Sequence, residues 1–189
     1  RRVTAGRRAL EILVILVCCL LLAMVNAYTR DRAPGVHWYS GPPGRAVETP
    51  PFDITVTDVR LADRVTQDTI EFGTSEVLVV VEWTAEVRGG RALLAGIELH
   101  TAGGTTVLPR AEFLYSAGPA VTEAGFTRHA TSVFQVEEDA AVGSDFVVHF
   151  NRGFTYTYTG AVRVVGVVGE DTPHMAIAEI ADPRLEVTP

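Results

Sequence analysis

Residues 76–87 read EVLVVVEWTAEV, and the spacing of their apolar side chains sets the fold. Successive residues of a strand point to opposite faces, so Val77, Val79, Val81, Trp83, Ala85 and Val87 line one face of a long strand. Leu78 and Val80 occupy the other face, which predicts that the first half of the strand is covered on both sides.

The same period of two extends outward. Phe52, Ile54 and Val56 alternate with Asp53, Thr55 and Thr57, and Val59 and Leu61 then resume out of phase. That slip predicts a β-bulge near Thr57–Asp58. Residues 62–75 are polar and read as a loop. Downstream, Gly89–Gly90 turns the chain into a strand over Leu93–His100, with Ala95, Ile97 and Leu99 on one face. Ala102, Gly103 and Gly104 make a hairpin turn whose return is Thr105–Pro109. Residues 110–126 are mixed in character, with a short edge strand expected over Phe113–Tyr115. Thr127–Val136 is a further strand, with Thr131, Val133 and Gln135 opposite Ser132, Phe134 and Val136, ended by the acidic turn Glu137–Glu138–Asp139. Asp145–Phe150 and Ala161–Val168 follow, and residues 169–189 read as a C-terminal strand or tail with an apolar segment over Met175–Ile180. Seven or eight short strands separated by turns, without a convincing soluble helix, predict an all-β sandwich over residues 52–168.

The order FDITVTDVRL (52–61), GTSEVLVVVEWTAEV (73–87), ELHTAGGTTVLP (98–109), SVFQVEEDA (132–140) and DFVVHF (145–150) resembles the telokin-like, immunoglobulin-fold domains of bacterial envelope proteins. The resemblance implies an immunoglobulin-like sandwich and carries no catalytic residues with it. It departs at His100-Thr101-Ala102, where such domains often place Asn or Asp before the hairpin.

Ahead of the sandwich lies ALEILVILVCCLLLAMVNAY, residues 9–28, with fourteen consecutive apolar residues from Ile12 to Val25. Twenty helical residues span roughly 30 Å, the thickness of a bilayer's hydrocarbon core, so this stretch predicts one transmembrane helix; the alternative is a signal segment cut before Tyr28, after the small-residue pattern of Val25 and Ala27. Arg1, Arg2, Arg7 and Arg8 place residues 1–8 on the cytoplasmic side and the sandwich outside. Glu11 sits near the basic end, where it reaches the interface. Neither Cys18 nor Cys19 stands at the end of the apolar run as a lipid-bearing cysteine would, so both read as soft apolar residues in the span. Residues 29–51 hold five prolines and three glycines without periodicity and read as a stalk. Within it, His37, Trp38 and Tyr39 read as an anchor in the aromatic belt of the outer interface, a small patch packing on the domain, or a contact with a neighbouring membrane protein.

Charge divides along the same line. Residues 1–28 carry a net +3, and the remainder −10 from 12 Arg against 22 acidic residues. An acidic outer domain excludes nucleic acid and anionic lipid surfaces as partners. All sixteen basic residues are Arg, a composition associated with GC-rich bacterial genomes. Both cysteines fall in the apolar run, so the sandwich has no disulfide to draw on.

Chemistry-bearing patterns are sparse. No serine lies in Gly-x-Ser-x-Gly, and the outer domain has no thiol nucleophile. His100, His129 and His149 fall on expected strands near acids such as Glu98 or Asp145, but at spacings that match no metal motif. They read as structural histidines. The segment GFTYTYTG, residues 153–160, puts Phe154, Tyr156 and Tyr158 on one strand face. That ladder either closes the sandwich end or forms an exposed binding surface.

The expected protein is a non-enzymatic, single-pass envelope component without metal or cofactor, in which a small-molecule ligand is disfavoured. Its helix crosses the lipid bilayer, and its working role is to brace a larger integral-membrane assembly such as a transporter. The contacts expected to serve it are Glu11, Cys18, Cys19 and Ala23 in the span, Trp38 and Tyr39 in the stalk, and Phe154, Tyr156 and Tyr158 in the ladder. The alternative is an extracytoplasmic ligand-binding module for a metal or an envelope glycan.

Overall fold

A computed structural model describes residues 35–89, 91–110, 113, 120–152 and 159–188, and within them twelve strands and one short helix. The strands are β1 (His37–Gly41), β2 (Val47–Glu48), β3 (Phe52–Gln67), β4 (Ile70–Val87), β5 (Arg91–His100), β6 (Thr106–Val107), β7 (Ala120–Glu123), β8 (Phe126–Val136), β9 (Asp145–Arg152), β10 (Gly160–Val164), β11 (His174–Glu179) and β12 (Arg184–Val187). The helix α1 is Glu138–Ala141. A front sheet runs β1-β10-β9-β5-β6, with β7 also paired to β5, and a back sheet runs β11-β3-β4-β8-β12, with β2 paired to β3.

The two-sided reading of β4 holds. Val77, Val79, Val81, Trp83, Ala85 and Val87 enter the main core between the sheets, against Phe134, Phe146, Val148 and Phe150. Leu78 and Val80 enter a second, smaller core on the outer face of the back sheet, with Val65, Val133, Phe113, Ala178 and Ile180. Arg110 seals that second core by stacking 4.3 Å over the Phe72 ring and donating to Gln135 Oε1 at 3.0 Å. In the main core, Trp83 Nε1 donates to Ser132 Oγ at 3.0 Å, and both residues are fully buried.

Several sequence expectations are corrected. Within the expected stalk 29–51, His37–Gly41 is an edge strand of the front sheet, parallel to β10, and Val47–Glu48 pairs with β3. Its signal was hidden because a five-residue edge strand has only Tyr39 to show toward the core. The compact unit therefore begins at Val36. The polar stretch 62–75 is the tip of the β3–β4 hairpin and not an open loop; Asp68 makes its turn at φ 50, a left-handed conformation that Asp tolerates better than most residues. The tail contributes two strands, β11 and β12. In β5, a register shift between Leu94 and Gly96 brings Leu94 into the core with Ile97 and Leu99; the side chain of Ala95, expected in that row, lies outside the described residues. Phe113 is buried outside any strand, its N–H donating to Arg110 O at 3.1 Å. The bulge read at Thr57–Asp58 appears as a register shift between Val56 and Asp58. The acidic run after β8 leads into α1, which places Glu138 and Asp139 in its first turn.

One glycine is required by contact. A Cβ on Gly160 would lie 2.2 Å from Cζ of Phe150, the residue paired across from it, so the ring covers the space a side chain would occupy. Phe150 in turn stacks edge-on to Phe52 at 4.8 Å, linking the two sheets.

Among the described residues no helix is long and apolar enough to cross a membrane. The expected span 9–28 and the ladder residues Phe154, Tyr156 and Tyr158 lie outside the described residues.

The buried Trp83–Ser132 bond predicts non-additive mutations. Trp83→Phe and Ser132→Ala each strand one buried polar group and should cost about 1–3 kcal/mol beyond any volume change. The double variant should cost less than the sum by about 1 kcal/mol or more in urea denaturation; additive losses would show the bond carries no coupling.

Candidate functional site

The outer face of the front sheet gathers the polar and aromatic side chains that the core does not use. Cross-strand register arranges them in rows. One row runs Trp38, Ala161, His149, Gly96, and the next runs Ser40, Arg163, Val147, Glu98. Beyond them Asp145 faces His100. Tyr39, one residue from Trp38, points the other way and packs on the main core beside Phe150 at 6.1 Å.

The small side chain of Ala161 decides the geometry of the first row. Trp38 and His149 flank it on adjoining strands, and over a methyl group their rings meet edge to face at 6.0 Å. Ala161 is fully buried beneath them. The Arg163 guanidinium lies 4.7 Å over the Trp38 ring, a cation–π contact. Its Nε is 3.8 Å from Asp145 Oδ2, while Asp145 Oδ1 accepts the Gly166 N–H at 2.8 Å. Trp38 still exposes 48% of its surface. It is an indole fixed from two sides and open on a third.

Next to it, Glu98 Oε2 accepts from His100 Nε2 at 2.8 Å and lies 3.3 Å from His149 Nε2. Burial pushes the Glu98 carboxyl up, but the hydrogen bonds from His100 and His149 outweigh it and hold the group below the usual carboxylate range. The carboxylate thus links the histidine beneath Trp38 to the hairpin end of β5. Among the described residues, no three His, Cys, Asp or Glu side chains are arranged to hold a metal ion. The face offers an aromatic platform, a stacked cation and a charged carboxylate. These are groups for binding, and no nucleophile is aligned with a base among them.

Of the residues singled out from the sequence, Trp38 lies on this face and Tyr39 does not. Glu11, Cys18, Cys19, Ala23, Phe154, Tyr156 and Tyr158 lie outside the described residues. Of the three strand histidines, His100 and His149 meet at Glu98, while His129 stands on β8 of the back sheet, 3.2 Å from Glu186. The Glu98–His100 pair was readable as two same-face residues of one strand. Arg163 gave no signal, because its role depends on a register between β1 and β10 that the chain does not write locally.

No family model matches this chain, and no curated protein matches it. Among solved structures it is similar to an uncharacterized beta-sandwich protein from Clostridium difficile 630, at 10% identity over 69% of this chain and 95% of that one, with a TM-score of 0.43. The sandwich assignment stands on the two sheets described above.

A pH dependence follows from Glu98. Its native value is depressed, so the stability it contributes is present above the ordinary carboxylate value and is lost as pH falls through the native one. Glu98→Gln should lower stability by about 1–2 kcal/mol at pH 7. The gap between variant and parent should close on acidification below that native value; a gap unchanged down to acid pH would contradict it.

Proposed function

We propose that this protein is a non-enzymatic, membrane-anchored envelope component whose immunoglobulin-like sandwich binds and braces a larger integral-membrane assembly through the Trp38 face. The strand order supports the immunoglobulin reading. β3-β4-β8 lies opposite β5-β9-β10, which matches the A-B-E and C-F-G strands of that fold. The observation that carries the functional reading is Trp38 itself. Tryptophan and arginine dominate the energetic centres of protein interfaces, and here an indole is stacked by Arg163, backed by His149 and half open to solvent. The anchor reading rests on the apolar run Ile12–Val25 and the arginines before it. With β1 starting at His37, eight residues, 29–36, separate the proposed span from the sandwich. Eight extended residues reach at most about 28 Å, so the tether is short and a partner for this face would stand close to the membrane.

A second reading, a ligand-binding module, is favoured by one feature, the Glu98 carboxylate held beside the same indole. Titration calorimetry of the full chain with divalent metal ions and with cell-wall fragments separates the two, since bracing predicts no heat from either.

Affinity purification of the full chain from mild detergent should recover a stoichiometric integral-membrane partner. Trp38→Ala should weaken that complex by about 2 kcal/mol, roughly thirty-fold, with the sandwich still folded. Recovery of the chain without any such partner, or undiminished capture by the variant, would contradict the proposal.

A further inference from the structure

The back sheet ends in β12, whose four residues are all exposed, with Leu185 at 57% and Val187 at 73%. Among the described residues β12 pairs with β8 on one side only, in the register Arg184–His129 through Val187–Phe126. Thr188 continues that ladder, its N–H donating to Gly125 O at 2.8 Å. In an antiparallel ladder alternate residues bond toward the same neighbour. Thr188, Glu186 and Arg184 therefore turn their backbone groups toward β8, and the N–H and C=O of Leu185 and Val187 point out of the free edge. By the same alternation Pro183, the residue before β12, would offer that edge only a C=O, because proline has no N–H.

We propose that this edge pairs with the same edge of a second copy, joining two back sheets into one continuous sheet of ten main strands. The sequence of β12 fixes the register. Two-fold pairing keeps each residue on its own face only when partners are an even number of positions apart. With Leu185 on the axis, Arg184 of each copy lies opposite Glu186 of the other, and Leu185 meets Leu185. Pro183 meets Val187 on the same face. With Arg184 or Glu186 on the axis, like charges would face each other across the seam, which is unfavourable. The Leu185 register thus gives two opposite-charge pairs on one face and an unbroken apolar row on the other. It forms four backbone hydrogen bonds, two between the Leu185 residues and one from each Val187 N–H to the opposite Pro183 carbonyl. The missing N–H of Pro183 falls at the ends, where it limits the pairing without interrupting it. The opposite edge strand, β11, has no charged side chain between His174 and Glu179 to fix a register.

Four bonds and a small apolar row make a weak, reversible dimer, with a dissociation constant on the order of 100 µM. Sedimentation equilibrium of the full chain in mild detergent, across that concentration range, tests it. Arg184→Glu and Glu186→Arg each place like charges across the seam and should weaken the dimer at least ten-fold. The double variant exchanges the two charges and should restore it to within about three-fold. As a second measurement, a nitroxide on Leu185→Cys, in a chain with Cys18 and Cys19 replaced by Ala, should show dipolar broadening that disappears on dilution. A parent chain that stays monomeric at these concentrations overturns the proposal. So does a dimer insensitive to the single exchanges, a double variant that fails to recover it, or a label without broadening.

Discussion

The structure depends on β4 being buried on both faces over Val77–Val81. A strand with apolar residues on alternate positions needs one cover; a strand with valine and leucine on successive positions needs two. The first is the front sheet, which closes the main core over Trp83, Phe134 and Phe146. The second is local: Phe113, Ala178, Ile180 and the Phe72 ring capped by Arg110. At ~25 cal/mol per Å² of apolar surface, leaving Leu78 and Val80 bare would forgo several kcal/mol, which Phe113 after β6 and Ile180 after β11 avert by packing on the back sheet.

That arrangement frees the opposite surface. With the main core satisfied by Val148, Phe150, Val162 and Val164, the polar and aromatic residues on the outward face of the front sheet are not needed in it. They carry Trp38 and His149 in one row, Arg163 and Glu98 in the next, and His100 beyond them. An indole in such a position exposes apolar surface that water does not favour, and three ordered neighbours lower the entropy lost when a partner covers it. The binding role proposed for this face follows from that pre-organisation.

The sequence made the centre of this fold legible and its borders obscure, for physical reasons. β4, β8 and the bulge in β3 are long or strongly patterned, and their alternation survives because both faces have a defined environment. β1 was hidden because it adds itself to an edge in parallel, with no turn chemistry to mark it and prolines close behind. The β3–β4 tip looked like a loop because exposed hairpin ends are polar on both faces. The site was half visible: Trp38 stood out as an aromatic among prolines, and Glu98 and His100 share a face by simple periodicity. Their meeting with His149 and Arg163 depends on tertiary register, which no local pattern encodes.

The central claim is that the Trp38 face is covered by a partner where the protein works. Hydroxyl-radical footprinting reads this directly, because the chain has two tryptophans and Trp83 is buried in the sandwich and serves as the internal reference. In the producing cells' own membranes Trp38 should be protected from oxidation relative to the same chain made in a host without the partner and purified alone, while Trp83 stays equally protected in both. Equal labelling of Trp38 in the two settings would contradict the account.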